Sequence, residues 1–219
     1  MSAVPAPAAP LDAWARRAWA LAWATVLYNL LEGGVSLAFG AADDSVALWG
    51  FGADSLIEVA SAVLVMARLR HGFAAPATQA ERRATLGIGG LFVLLALVVK
   101  LGAILQLASG RHPATTLPGL AISALSLAFM AFLWRAKRRA AEALDSAALK
   151  SDAACSLACL QLSLVLFGGS LLFLASPRLG WVDGAAAILL ALLIGREGIL
   201  GIRAARDPRF TGGCGCGHD

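Results

Sequence analysis

Apolar residues run almost unbroken through six stretches of the chain, at roughly 14–39, 45–68, 84–108, 118–135, 150–175 and 181–202. Polar and turn-forming residues gather between them. A helix needs about 20 apolar residues to cross some 30 Å of hydrocarbon, so each stretch is long enough to span a bilayer. Four connections carry turn chemistry: Gly40 to Asp44, His71 to Gln79 around Pro76, Ser109 to Thr116 around Pro113, and Ser176 to Gly180 around Pro177. The pattern predicts an all-α polytopic membrane protein, a bundle of six transmembrane helices over 14–205. Residues 1–13, rich in Pro and Ala, read as a disordered lead with neither the basic nor the compact apolar region of a signal peptide. Residues 206–219 read as a flexible tail.

Composition agrees. Apolar residues make up 59% and charged residues 15% of the 219, too little polar surface for an ordinary soluble domain of that length. The net charge of +4 does not call for nucleic acid, because the basic residues sit in short loops beside the apolar runs, where they set topology. Fifteen Lys and Arg fall on one side of the predicted membrane, among them Arg16, Arg70, Arg82, Lys137, Arg138 and Arg203; only Arg111 and Arg178 fall on the other. That bias places both termini in the cytoplasm, with a bacterial inner membrane as the expected location. Lys100 is left over in mid-span, where a charge needs a partner or a wet cavity.

The chemistry lies in polar residues within the spans. Asp54 and Glu58 stand i, i+4 in the second, and Cys155 and Cys159 stand i, i+4 in the fifth. That spacing puts each pair on one helical face about a turn apart, so two such helices facing each other supply two carboxylates and two thiolates to one ion. A carboxylate at mid-membrane costs roughly 2.5–3.5 kcal/mol on insertion scales, and a pair of them calls for a function. The plainer readings are an ion pair with Lys100 for the acids, and small packed residues for the cysteines. Glu32 and Asn29, at i, i+3 in the first span, suit either a hydrogen-bonding pair behind the ligands or an accessory proton site. Asp152 opens the fifth span and Asp183 the sixth; with Lys100 they are candidates for accessory or proton-coupling roles, although at Asp183 the helix dipole alone would account for an acid. Arg196 and Glu197 are explained by snorkelling or local pairing. In the tail, Cys214, Cys216 and His218 form a short Cys/His tract of the kind that captures metal, or else the idle end of a disordered segment.

Three segments together resemble the membrane domain of the cation diffusion facilitator family of divalent-metal/proton antiporters. SVALWGFGADSLIEVASAVLV is similar to the family's Asp-Ser-x-x-Asp span, with Asp54 and Glu58 at the ligand positions. SAALKSDAACSLACLQLS resembles its Ser-x-Ala-Leu-x-Ala-Asp-x-x-His-x-x-x-Asp, with Asp152 on the first acid and Cys155 and Cys159 on the His and Asp ligands. GWVDGAAAILLALLIGREGILGIR places Asp183 on the acid of the last span. The resemblance implies a transporter, not an enzyme, working as a homodimer in the lipid bilayer, with a divalent metal as cargo and protons as coupling ion. About fifteen residues follow the last span, so a compact six-span variant without the family's cytoplasmic metal-binding domain is expected. Thiolates in place of His and Asp soften the site toward Zn and Cd and away from Mn or Mg. Two alternatives stand beside export: a soft-metal permease of the opposite direction, and a thiol-redox carrier cycling Cys155 and Cys159.

Overall fold

The computed structural model describes residues 9–71, 79–110, 117–144, 146–176 and 181–210. Within them lie six helices: α1 (Ala9–Ala42), α2 (Val46–His71), α3 (Gln79–Ser109), α4 (Leu117–Ala143), α5 (Ala147–Ala175) and α6 (Trp181–Arg206). Five of them are long and apolar enough to cross a membrane; α1 falls outside that group. Its apolar run is interrupted by Tyr28, Asn29 and Glu32, and the last two are buried in the interior. The fold is an all-α polytopic membrane bundle. The lead expected to be disordered over 1–13 is shorter than that, because residues 9–13 already belong to α1; residues 1–8 and the tail with Cys214, Cys216 and His218 lie outside the described residues.

Burial is inverted relative to a soluble protein. Asn29, Glu32, Asp54, Glu58, Lys137 and Asp152 are buried, while Leu31, Leu125 and Leu164 are 71%, 63% and 61% exposed on the periphery. Hydrocarbon is the solvent that makes this arrangement stable, since it leaves the polar groups to be satisfied inside the bundle. α2 is the hub. It touches α1, α3, α5 and α6, while α3 packs most extensively on α6 and α4 on α5. The largest apolar cluster joins α2, α3, α5 and α6 through Leu48, Phe51, Phe92, Leu162, Leu190 and Ile194.

Two glycine contacts set the close approaches. A Cβ on Gly33 would come within 3.0 Å of the Gly52 carbonyl oxygen, and one on Gly52 within 3.0 Å of the Gly33 carbonyl oxygen. Gly89 and Gly198 face each other across α3 and α6 in the same way, at 2.9 and 2.8 Å. Backbones this close allow dense packing where hydrophobic attraction between helices is weak. Gly87 and Gly90, beside Gly89, face open space and serve no such contact.

α4 runs eight residues beyond the end expected at 135, and that extension changes the picture of the interior. Lys137, Ala140 and Ala141 are buried on it, so the basic run is a packed helix end and not wholly a solvated loop. Lys137 therefore does not belong with the topology-setting surface charges.

Candidate metal site

The site is built where α2 and α5 meet. Asp54 and Glu58 are 3% and 4% exposed, near the middle of α2, and each helix turn brings both carboxyls to the same face. Cys159 on α5 answers them. Its Sγ donates a hydrogen bond to Glu58 Oε2 at 2.6 Å and lies 3.6 Å from Asp54 Oδ2. Cys159 is a free, buried thiol. Cys155 stands one turn earlier on the same helix and is not bridged to Cys159.

Between these helices lies a cavity of about 20 Å³, lined among others by Asp54, Glu58, Ser61, Cys155, Cys159 and Glu197. That volume accommodates one water-sized body. A single dehydrated cation is of the same order of size. Among the described residues no three His, Cys, Asp or Glu side chains are drawn into a closed cage; the thiol hydrogen of Cys159 instead joins it to Glu58.

Glu197 brings a third carboxylate from a third helix. Its neighbour Arg196 donates to its Oε1 at 2.9 Å, the local pairing that the sequence suggests. The position of Glu197 on the cavity wall is new, because a Glu flanked by Arg near a helix end has a sufficient local explanation and gives no further signal.

Among the described residues the cation inside the bundle is Lys137, not Lys100. Lys137 Nζ is 3.0 Å from Asp152 Oδ1 and donates to Ser156 Oγ at 2.9 Å, with the Lys and Asp side chains only 1% and 5% exposed. Ser156 adjoins Cys155 and lies one turn before Cys159, so this ion pair sits immediately beside the site, toward the end of the bundle where α4 stops and α5 starts. Lys100 is exposed on the outer face of α3 and cannot neutralise Asp54 or Glu58.

The accessory residues separate. Glu32 is buried between α1 and α2, where Tyr28 Oη donates to its Oε1 at 2.9 Å and Ser55 Oγ to its Oε2 at 3.0 Å. Ser55 follows Asp54 directly, which puts a second carboxylate network one residue from the site. Asn29 does not join it. Its Nδ2 donates to the Thr25 carbonyl at 3.0 Å, a bond within α1. Asp183 is remote: Ser45 Oγ donates to its Oδ1 at 2.6 Å and accepts from Leu48 N at 3.2 Å. Ser45 thus caps α2 and Asp183 braces the cap. Nine residues separate Ser45 from Asp54, roughly 13 Å along the axis at 1.5 Å per residue, so Asp183 is not within ligand reach.

The chain matches the family described as Cation efflux transmembrane domain over residues 22–205, a stretch reaching from within α1 to the last turn of α6. No curated protein matches it.

Proposed function

Because the chain belongs to the cation efflux family, and so is a transporter of divalent metal cations, we propose that it exports Zn(II) or Cd(II) in exchange for protons, through Asp54, Glu58, Cys159 and Cys155. The observation that carries this reading is the Cys159 thiol held at 2.6 Å from Glu58 and 3.6 Å from Asp54 beside a cavity of ion size. Two carboxylate oxygens and two thiolates make a tetrahedral donor set suited to Zn. Thiolate favours Zn and Cd over Mn and Mg.

Coupling follows from the same atoms. A thiol that donates to a carboxylate holds a proton between two metal ligands, and that proton must leave before the sulfur can coordinate. Metal binding therefore expels protons, and protons arriving from the other side of the membrane expel metal. Binding should tighten as pH rises, since the deprotonated ligands are the ones that coordinate. Glu32, hydrogen-bonded through Ser55, is placed to take up protons without itself binding metal. Coordination by Cys155 requires its reduced form, so assays belong in reductant. The basic end of the bundle, with both termini, faces the cytoplasm in this reading, and the protein sits in a bacterial inner membrane as a homodimer.

In reconstituted vesicles, an imposed Zn gradient should drive protons in the opposite direction, read with a pH-sensitive dye, and Cd should substitute where Mn does not. Zn flux without proton movement would refute antiport; Mn flux equal to Zn flux would refute thiolate selection.

The tail with Cys214, Cys216 and His218 is assigned to metal capture near the site's entrance, where it raises local concentration without lining the path. Deleting residues 212–219 should raise the metal concentration for half-maximal export and leave the maximal rate nearly unchanged. Loss of all flux from a properly inserted truncation would make the tail part of the essential site, and unchanged kinetics would make it an idle end.

A further inference from the structure

Lys100 is the mid-span charge that the metal site does not use. On the outer face of the α3·α6 pair it shares a groove of about 520 Å³ with Arg196 and Arg203. All three side chains are exposed. The rest of the wall is apolar, including Val93, Leu97 and Ile199. Arg196 and Arg203 are seven residues apart on one face of α6, and Lys100 on α3 continues their line toward the middle of the membrane. Arg203 lies in the last turn of α6, at the level where headgroups meet hydrocarbon.

We infer that this groove binds an anionic phospholipid, its headgroup phosphate held by Arg203 and Arg196 and by the Lys100 side chain reaching down the groove. Three observations point there. Charge complementarity is one, since three cations line the groove and no acid does. The second is that, among the described residues, Arg196 has a partner, Glu197, whereas Lys100 and Arg203 form no hydrogen bond or ion pair. The third concerns a second copy of the chain as occupant. Among the described residues, the carboxylates within the spans are buried, apart from Glu197, which holds Arg196, while the exposed ones, Asp44, Glu142 and Asp207, lie at helix ends. A neighbouring subunit therefore has no acid to offer Lys100 at its depth. A lipid phosphate reaches such a cation because Lys and Arg snorkel toward the headgroups, and basic pockets between membrane helices are known to hold anionic headgroups.

The test uses the whole protein in nanodiscs of phosphatidylcholine, with phosphatidylglycerol titrated in, read by lipid retention in native mass spectrometry and by thermal stability. The wild type should retain phosphatidylglycerol selectively and melt higher with it. The double variant Lys100→Gln, Arg203→Gln should bind it about thirtyfold more weakly, the effect of losing two cations near the headgroups, while its stability in pure phosphatidylcholine stays unchanged. Equal retention by the variant would overturn the proposal. So would an equal stabilisation by inorganic phosphate in phosphatidylcholine discs, which would make the groove a free-anion site. Efficient disulfide cross-linking of Leu97→Cys between two copies would overturn it as well, by showing that a subunit covers the groove.

Discussion

Glu58→Gln should abolish metal transport while leaving the protein folded in the membrane. The change keeps the volume of the side chain but replaces a charged ligand, and the charged acceptor of the Cys159 thiol, with a neutral amide. Loss of a residue that merely orients a ligand costs 10–100-fold in metal affinity, so loss of a ligand should exceed about 100-fold. Cys159→Ser should match it, since the hydroxyl replaces a soft thiolate with a poor neutral donor at the point where α5 meets both carboxylates. Glu197→Gln should weaken binding less than either, because Glu197 shares its charge with Arg196. Cd offers a direct readout: in reductant, on protein lacking residues 212–219, the thiolate-to-Cd absorption should fall by about half in Cys159→Ser, leaving the share of Cys155. Full Zn flux in both Glu58→Gln and Cys159→Ser would reduce the pair to packing.

The helices were legible because hydrocarbon imposes one requirement on every residue of a span, and the turn signals at Gly40–Asp44, Pro76, Pro113 and Pro177 mark where that requirement lapses. Boundaries failed where it competes with another. α4 continues to Ala143 because Lys137, Ala140 and Ala141 pack inward, and a sequence window reads the same lysine and the arginines around it as a loop. Asp54, Glu58 and Cys159 were legible for the opposite reason: carboxylates at mid-span have no inexpensive explanation, and i, i+4 spacing states which face they share. Lys137 and Glu197 were not, because a basic residue at a helix end and a Glu beside an Arg each have one. Lys100 misled because depth in a span does not specify direction. The signal was present in the seven-residue repeat of Gly89, Ala96 and Ala103, which marks the face of α3 toward the interior and leaves Lys100 at its edge. Asp183 fell on the family's acid, yet its local role is to brace the Ser45 cap of α2.

Lys137→Met should be the most disruptive single change in the bundle outside the ligands. It removes the partner of Asp152 in a setting where the two side chains are 1% and 5% exposed, and leaves that carboxylate buried with Ser156 no longer held by an ammonium. Breaking such a pair from one side costs about 3–5 kcal/mol, whereas replacing both members with neutral groups of similar shape is often nearly neutral. Lys137→Met should therefore lower thermal stability sharply, and Lys137→Met with Asp152→Asn should recover most of it. The double variant then reports what the ion pair does for transport. With the fold restored, the site loses the ammonium that reaches Ser156 and the Asp152 carboxylate a turn farther from Cys159 on α5, so the nearer charge removed is the one that opposes the incoming cation. Metal should bind the double variant more tightly than the wild type and leave more slowly, so that half-saturation falls and turnover falls with it. Wild-type kinetics in the stable double variant would confine the Lys137–Asp152 pair to a structural role; a double variant as unstable as Lys137→Met would show that the hydrogen bond to Ser156, and not the ion pair, is what the fold requires.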